Sequence, residues 1–257
     1  MKNALLVLVG SGIKAISHLN TETKAYIRGA DKVLYLLNEP ITSEWIRENN
    51  HSSESLDEIY FSHDQRSASY EAITRHILEN LRQEKHICVV MYGHPCFFAS
   101  SGLEAVKQAK DDGYDARILP AISAEDCLFA DLMIDPASSG RQSYDTTDFL
   151  IYTRNFDTSS HLVLLQVNSI GALNHVKHHD NKENISFLVE YLTQYYPSNH
   201  KITLYAAAQY PGMKPKIRQI QLKDLSITEI SSIEMLYIPP KGICTANQSV
   251  LKRLSII

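Results

Sequence analysis

"VVMYGHPCFF", residues 89–98, begins as an apolar run and stops on glycine, histidine and proline. With Ile87 and Cys88 ahead of it, the run predicts a buried strand over residues 87–92. In an open α/β sheet, ligands bind outside the carboxyl ends of the strands. Tyr92, Gly93, His94 and Pro95 are therefore a candidate site by position. Glycine allows close backbone approach to a ligand, and proline fixes the exit from the strand. His94 suits either an acid/base or ligand contact or a hydrogen-bonded turn histidine.

Around this strand the first half of the chain alternates. Strands are predicted over 4–9, 33–37, 87–92 and 116–119, and helices over 21–28, 42–49, 65–82, 103–111 and 124–132. Such alternation implies a mostly parallel sheet. "DPASSGRQSYDTTD", residues 135–148, is then polar and rich in turn formers, as linking segments are. Runs of β-formers follow at 149–153, 161–167, 202–205, 217–222 and 233–238, interrupted by helical patterns at 171–178 and 185–195. The expectation is two α/β lobes, residues 1–135 and 136–257, with ligand in the cleft between them.

Composition narrows the function. Hydrophobic residues make up 44% of the 257-residue chain and charged residues 21%, so an ordinary globular protein is expected. A net charge of −4 with no lysine/arginine block argues against a nucleic-acid partner, which needs a concentrated basic face. No apolar run approaches the roughly 18 residues of a membrane helix, so no membrane partner is expected. The start "MKNALLVLVG" is short and ends in a glycine turn, reading as a first strand and not as a signal peptide. Cys88, Cys96, Cys127 and Cys244 lack metal-ligand spacing and read as reduced thiols of a cytoplasmic protein.

Three further stretches carry possible chemistry. "GSGIKA", residues 10–15, matches the dinucleotide-binding fingerprint, which would make the chain an NAD-binding oxidoreductase. That fingerprint wants an acidic residue at the end of the second strand; Asp31 precedes that strand and Glu39 lies beyond it. "PAISAEDC" ends another strand, with Ser123 placed to cap a helix and Asp126 at its third position. Arg66 and Tyr70 share a helix face at i, i+4, which by spacing alone describes a core-facing tyrosine with a flanking arginine. The histidines of "HVKHHD" (His175, His178, His179) sit among solvated residues, and no metal is expected there.

Six segments in order, among them "YFSHDQRSASYEAI", "VVMYGHPCFFA", "PAISAEDCLFADLMIDPASSGRQSYD" and "LLQVNSIG", resemble the tetrapyrrole methylase superfamily. More narrowly they resemble the borosin peptide-backbone α-N-methyltransferases. The resemblance implies the tetrapyrrole methylase fold, a homodimer of two α/β domains, and S-adenosyl-L-methionine in the interdomain cleft. It implies donor contacts from Tyr92, His94, Phe97, Ser123, Ala124, Gln166, Ala206 and Ala207. It also implies a catalytic group of Arg66, Tyr70 and Tyr92, with Tyr60 assisting, and so replaces the core-packing reading of Arg66 and Tyr70. Tyr70 would be the base, Arg66 its activator and Tyr92 the orienting hydroxyl. Porphyrin-modifying relatives carry longer glycine motifs where this chain has "GSGIKA" and "GHP", which speaks against a planar macrocycle. Fused borosins carry their substrate as a carboxyl-terminal extension, whereas this chain ends on "SVLKRLSII". The expected substrate is a separate precursor peptide, with two precursor chains on one homodimer in a heterotetramer. A tetrapyrrole or small-molecule methyltransferase, and a non-catalytic donor- and peptide-binding module, are the alternatives.

Overall fold

The structure, a computed structural model, describes residues 4–83, 86–172, 174, 181–242 and 244–256. These form two compact units. The first holds the described residues up to Leu132 with Ala172, Asn174 and residues 207–215; the second holds 133–171, 181–206 and the described residues from Lys216 onward.

In the first unit the order is β1 (Leu5–Gly10), α1 (Thr21–Gly29), β2 (Lys32–Leu36), α2 (Pro40–Asn49), β3 (Ser53–Ser55), α3 (Asp57–Phe61), α4 (Arg66–Gln83), β4 (His86–Met91), α5 (Ser100–Asp111), β5 (Asp115–Leu119) and α6 (Ala124–Asp131). The sheet order is β3-β2-β4-β1-β5, with every pair parallel. Successive side chains point to opposite faces of a strand, so β1 sends Leu6 and Leu8 one way and Val7 and Val9 the other. The leucines pack with Ile73, Ile77 and Leu81 of α4 and Ala105 and Ala109 of α5. The valines pack with Ile27 of α1 and Ile46 of α2. These four strand side chains are at most 2% exposed, and each contributes about 1.5–3 kcal/mol by leaving water.

This order fixes where a ligand can enter. The connection from β1 leaves toward β2 through α1, and the connection from β4 leaves toward β5 through α5, on the opposite face of the sheet. β1 and β4 are neighbours, so their carboxyl ends flank a topological switch point, the place where open α/β sheets bind ligands.

The second unit carries β6 (Arg141–Asp145), α7 (Thr146–Ile151), β7 (His161–Leu165), α8 (Lys182–Thr193), β8 (Lys201–Ala206), β9 (Lys216–Gln221), β10 (Met235–Ile238) and α9 (Gln248–Arg253). Its sheet order is β6-β7-β10-β8-β9; β6 and β7 are parallel and the other pairs antiparallel. Phe149, Leu162, Leu164, Leu188, Leu192, Leu204 and Leu236 are fully buried in its core.

Two sequence expectations fail here. Residues 149–153 do not form a strand: Asp145 accepts from the N–H groups of Thr147 and Asp148 and starts α7. Of that apolar run only Phe149 is buried, while Ile151 and Tyr152 are exposed, so a one-sided helical turn accommodates it better than a pleat. The polar stretch read as a linker contains β6, whose residues pair with β7 without a fully buried side chain. The helix expected over 171–178 and the histidines His175, His178 and His179 lie largely outside the described residues. All four cysteines are free, and among the described residues no helix is long and apolar enough to cross a membrane.

Candidate functional site

The exits of β1 and β4 are locked together. The N–H of Gly12 donates to the Gly93 carbonyl and the N–H of Gly93 to the Gly12 carbonyl, both at 3.1 Å. Gly10 sits under this bridge: a Cβ there would lie 2.1 Å from the Gly93 oxygen, 2.6 Å from Ala121 Cβ and 2.8 Å from Pro95 Cδ. Only glycine lets the three strand exits approach so closely.

The same turn answers the dinucleotide reading. A phosphate cradle needs free loop N–H groups and a helix N-terminus directly behind them. Here the N–H groups of Ile13 and Lys14 are held by His18 Nδ1 at 3.1 and 3.2 Å. The next helix, α1, begins at Thr21 behind its own cap, Asn20. The glycines serve a tight turn.

His18 also makes the turn sensitive to pH. Burial first, and the Lys14 ammonium second, hold its pKa below 6.5. An imidazole that accepts at Nδ1 loses that role once protonated. The folded value lies below the unfolded one, so the stabilisation is complete above pH 6.5 and is lost as pH falls from there through the folded value. His18→Ala is therefore expected to lower the melting temperature clearly at pH 8 and less at pH 5; an equal loss at both would contradict this role.

Beyond β4, Gly93 has φ +71°, and among the described residues a Cβ built on it would meet only Ile13 Cδ1, at 3.5 Å, so space for a ligand lies beside it. His94 Nδ1 accepts from the Cys96 N–H at 3.1 Å, and the His94 ring meets Phe97 edge-on at 5.2 Å. The Tyr92 hydroxyl is hydrogen-bonded to the side chains of Asn38 and Gln209. Burial raises the Tyr92 pKa; those two bonds oppose the rise, and Cys127 and Glu39 add to it. Tyr92 thus keeps its proton at neutral pH. Asn38 and Gln209 were not singled out from the sequence, although Asn38 directly follows the strand end "LYLL" and the strand-end rule applies to it.

Tyr60, Arg66 and Tyr70 form a second group, on α3 and the first turns of α4. Ser69 Oγ donates to the Tyr60 carbonyl at 2.7 Å and ties the two helices together. The rings of Tyr60 and Tyr70 lie 6.1 Å apart at 32°, and their hydroxyls are hydrogen-bonded. The Tyr60 phenol is pushed up to about 12, first by burial and then by Tyr70, with Arg66 pulling the other way. Tyr60 therefore keeps its proton at neutral pH. Arg66 Nε is buried and, among the described residues, has no hydrogen-bond partner. A buried N–H left unpaired costs about 1–3 kcal/mol, more on a charged group, so an incoming oxygen acceptor would be favoured there.

At the β5 exit, Ser123 and Asp126 cap α6 reciprocally: Ser123 N–H and Oγ donate to Asp126 Oδ2 at 2.7 Å, and Asp126 N–H donates to Ser123 Oγ at 3.1 Å. Ser123 is buried and Ala124 opens the helix. The first unit thus carries Tyr60, Arg66, Tyr70, Tyr92, His94, Phe97, Ser123, Ala124 and Ala207. Gln166 and Ala206 belong to the second unit. Gln166 follows β7 in the left-handed conformation, φ +60°, with its Oε1 accepting from Ser169 Oγ at 2.9 Å. Among the described residues no cluster of three or more His, Cys, Asp or Glu side chains is placed to hold a metal.

A family model described as Tetrapyrrole (Corrin/Porphyrin) Methylases matches residues 5–217. The chain is 36% identical over 256 residues to a methyltransferase/ribosomally synthesized cyclic peptide gymnopeptides precursor of Gymnopus fusipes, covering 98% of this chain and 61% of that protein. It is 35% identical over 264 residues to a methyltransferase/ribosomally synthesized type I borosin cyclic peptide precursor of Coprinopsis marcescibilis, covering 99% of this chain and 68% of that one. The chain thus spans about two thirds or less of the length of these curated relatives. Among solved structures it is similar to uroporphyrin-III-C-methyltransferase from Thermus thermophilus, with TM-score 0.67, 18% identity and 93% of each chain covered.

Proposed function

This chain belongs to the tetrapyrrole (corrin/porphyrin) methylase family and, within it, to the borosin methyltransferases; on that premise we propose that it N-methylates backbone amides of a ribosomally made precursor peptide, supplied as a separate chain, with S-adenosyl-L-methionine as methyl donor. The observation that carries the reading is the buried Arg66 Nε, without a hydrogen-bond partner among the described residues, beside a tyrosine pair in which Tyr60 retains its proton. A peptide nitrogen is a weak nucleophile because its lone pair is delocalised into the carbonyl. Methylating it requires taking the N–H proton and stabilising the negative oxygen that results. Tyr70 takes the proton in this reading. Tyr60 donates to the Tyr70 oxygen and favours its phenolate, and Arg66 supplies an N–H and a fixed positive charge to the amide oxygen.

Bound S-adenosyl-L-methionine supplies the methyl group, and the electron pair of its C–S bond stays on sulfur as the N–C bond forms. Tyr92, with Asn38 and Gln209 holding its hydroxyl, orients the two substrates. His94, Phe97, Ser123, Ala124 and Ala207 of the first unit contact the donor in this proposal. The open side of Gly93 fits such an occupant, since a Cβ there would fill it. The proposed assembly is a homodimer carrying two precursor chains, acting in the cytoplasm. Light scattering with and without precursor measures both stoichiometries.

The test is a competition. Chelator-treated protein and S-adenosyl-L-methionine are offered a peptide of valine, isoleucine and glycine together with a uroporphyrin-type macrocycle. Methyl groups on the peptide alone are expected; methyl groups on the macrocycle alone would contradict the proposal.

A further inference from the structure

Tyr70 also lines an open groove of about 520 Å³ between α4 and α5, on the face of those helices turned away from the sheet core. The two helices run in the same direction. Near their starts Thr74 Oγ1 donates to the Ser101 carbonyl at 3.0 Å, and near their ends Arg82 approaches Asp112 at 3.5 Å. Both helices start at the carboxyl edge of the sheet, as right-handed crossovers require. The groove therefore opens beside the candidate base and runs away from it. From Tyr70 to Arg82 it spans twelve helical steps, about 18 Å, which matches about five residues of extended chain.

Its acidic side chains, Glu71 and Glu104, lie nearer the Tyr70 end, and its basic ones, Arg75, Arg82 and Lys107, reach farther along it. Glu104 is engaged by Gln108 at 2.8 Å and Lys107 at 3.9 Å. Among the described residues Arg75 makes no ion pair, and it sits seven residues before Arg82, on the same side of α4. The Arg82–Asp112 pair is exposed and long, the kind of contact that a better-placed carboxylate replaces at little cost. Arg75, Arg82 and Lys107 thus present positive charge along the groove on the side leading away from Tyr70.

We infer that this groove is a subsite for the peptide substrate: an extended segment lies between α4 and α5, and a carboxylate within about five residues of the reacting amide is read by Arg75, Arg82 and Lys107. The inference rests on the proposed peptide methylation. A peptide backbone offers few distinguishing groups at the reacting amide, so recognition must come from elsewhere along the chain. A segment that begins beside Tyr70 would help hold successive amides near it.

Two fluorescent synthetic peptides share a valine–isoleucine–glycine stretch; one ends in aspartates and the other in lysines. Anisotropy on the full chain is expected to show the aspartate peptide binding about tenfold or more tightly. The double variant Arg75→Glu, Lys107→Glu is expected to reverse that preference, a swap that misfolding cannot produce. Equal binding of both peptides by the wild type, or an unchanged preference in the variant, would overturn the subsite. So would a variant of halved mass by light scattering whose peptide affinity is unchanged, which would make the groove a subunit interface. Methyl transfer to the same peptides is scored separately. A binding preference without transfer supports the groove and counts against the proposed chemistry, and transfer without preference does the reverse.

Discussion

Tyr70→Phe is expected to slow methyl transfer by about 10²-fold or more while leaving the fold and donor binding intact. That is the scale lost with a positioned general base. The substitution removes only the hydroxyl, and the phenylalanine ring keeps its place 6.1 Å from Tyr60. Tyr60→Phe is the informative companion. Tyr60 is hydrogen-bonded to Tyr70 and, pushed up to about 12, keeps its own proton, so on the proposed roles its loss should weaken the base without abolishing it. The expected order of activity is wild type, then Tyr60→Phe, then Tyr70→Phe. Single-turnover assays with saturating donor measure it, and the reverse order would exchange the two roles. Arg66→Lys tests the third member, because lysine keeps the charge but gives up the planar fork and its Nε.

Gly10→Ala should damage stability and donor binding together. The added Cβ would stand 2.1 Å from a backbone oxygen, 2.6 Å from Ala121 Cβ and 2.8 Å from a proline ring carbon, so no flexible side chain can move aside. Overpacking of this kind costs about 1–3 kcal/mol. For a chain of this size each kcal/mol lowers the melting temperature by about 2–4 °C. The strain falls on the β4 and β5 exits, which carry Gly93 and the approach to Ser123, so affinity for S-adenosylhomocysteine should fall with it. Gly29→Ala is the control: among the described residues nothing lies within 4 Å of its Cβ, and alanine is the better helix former. Calorimetry and thermal melts of the two variants should diverge. A Gly10→Ala protein matching the wild type in both would mean that the three exits are not tightly joined.

The parallel sheet was readable because its strands are buried on both faces and leave unbroken apolar runs such as "LLVLVG" and "ICVVM". β3 and β6 left no such mark: neither "SES" nor "RQSYD" buries a side chain fully, and both are placed by pairing with a neighbour. Helix α7 was misread because apolar residues in a single turn look the same in either conformation, and the deciding residue, Asp145, lies ahead of them. At the site, strand ends pointed to Tyr92, His94 and Ser123 without help from any relative. Spacing could not separate Arg66 and Tyr70 from a core stripe. The features that favour the functional reading are an Arg66 Nε without a partner among the described residues and a hydrogen-bonded hydroxyl at Tyr60, both set by tertiary contact. The His18 cap on the "GSGIKA" turn is equally tertiary, since nothing local tells a histidine on those amides from a phosphate.

The central claim is that the methyl group goes to backbone nitrogen. A synthetic peptide of valine, isoleucine and glycine with blocked ends carries no nucleophilic side chain, so any enzymatic methylation must fall on the backbone. After incubation with the protein and S-adenosyl-L-methionine, fragmentation mass spectrometry is expected to place the added methyl groups on amide nitrogens, and Tyr70→Phe to reduce them about 10²-fold. An unmodified peptide, in a reaction where the same protein methylates a macrocycle or a peptide side chain, would contradict the account.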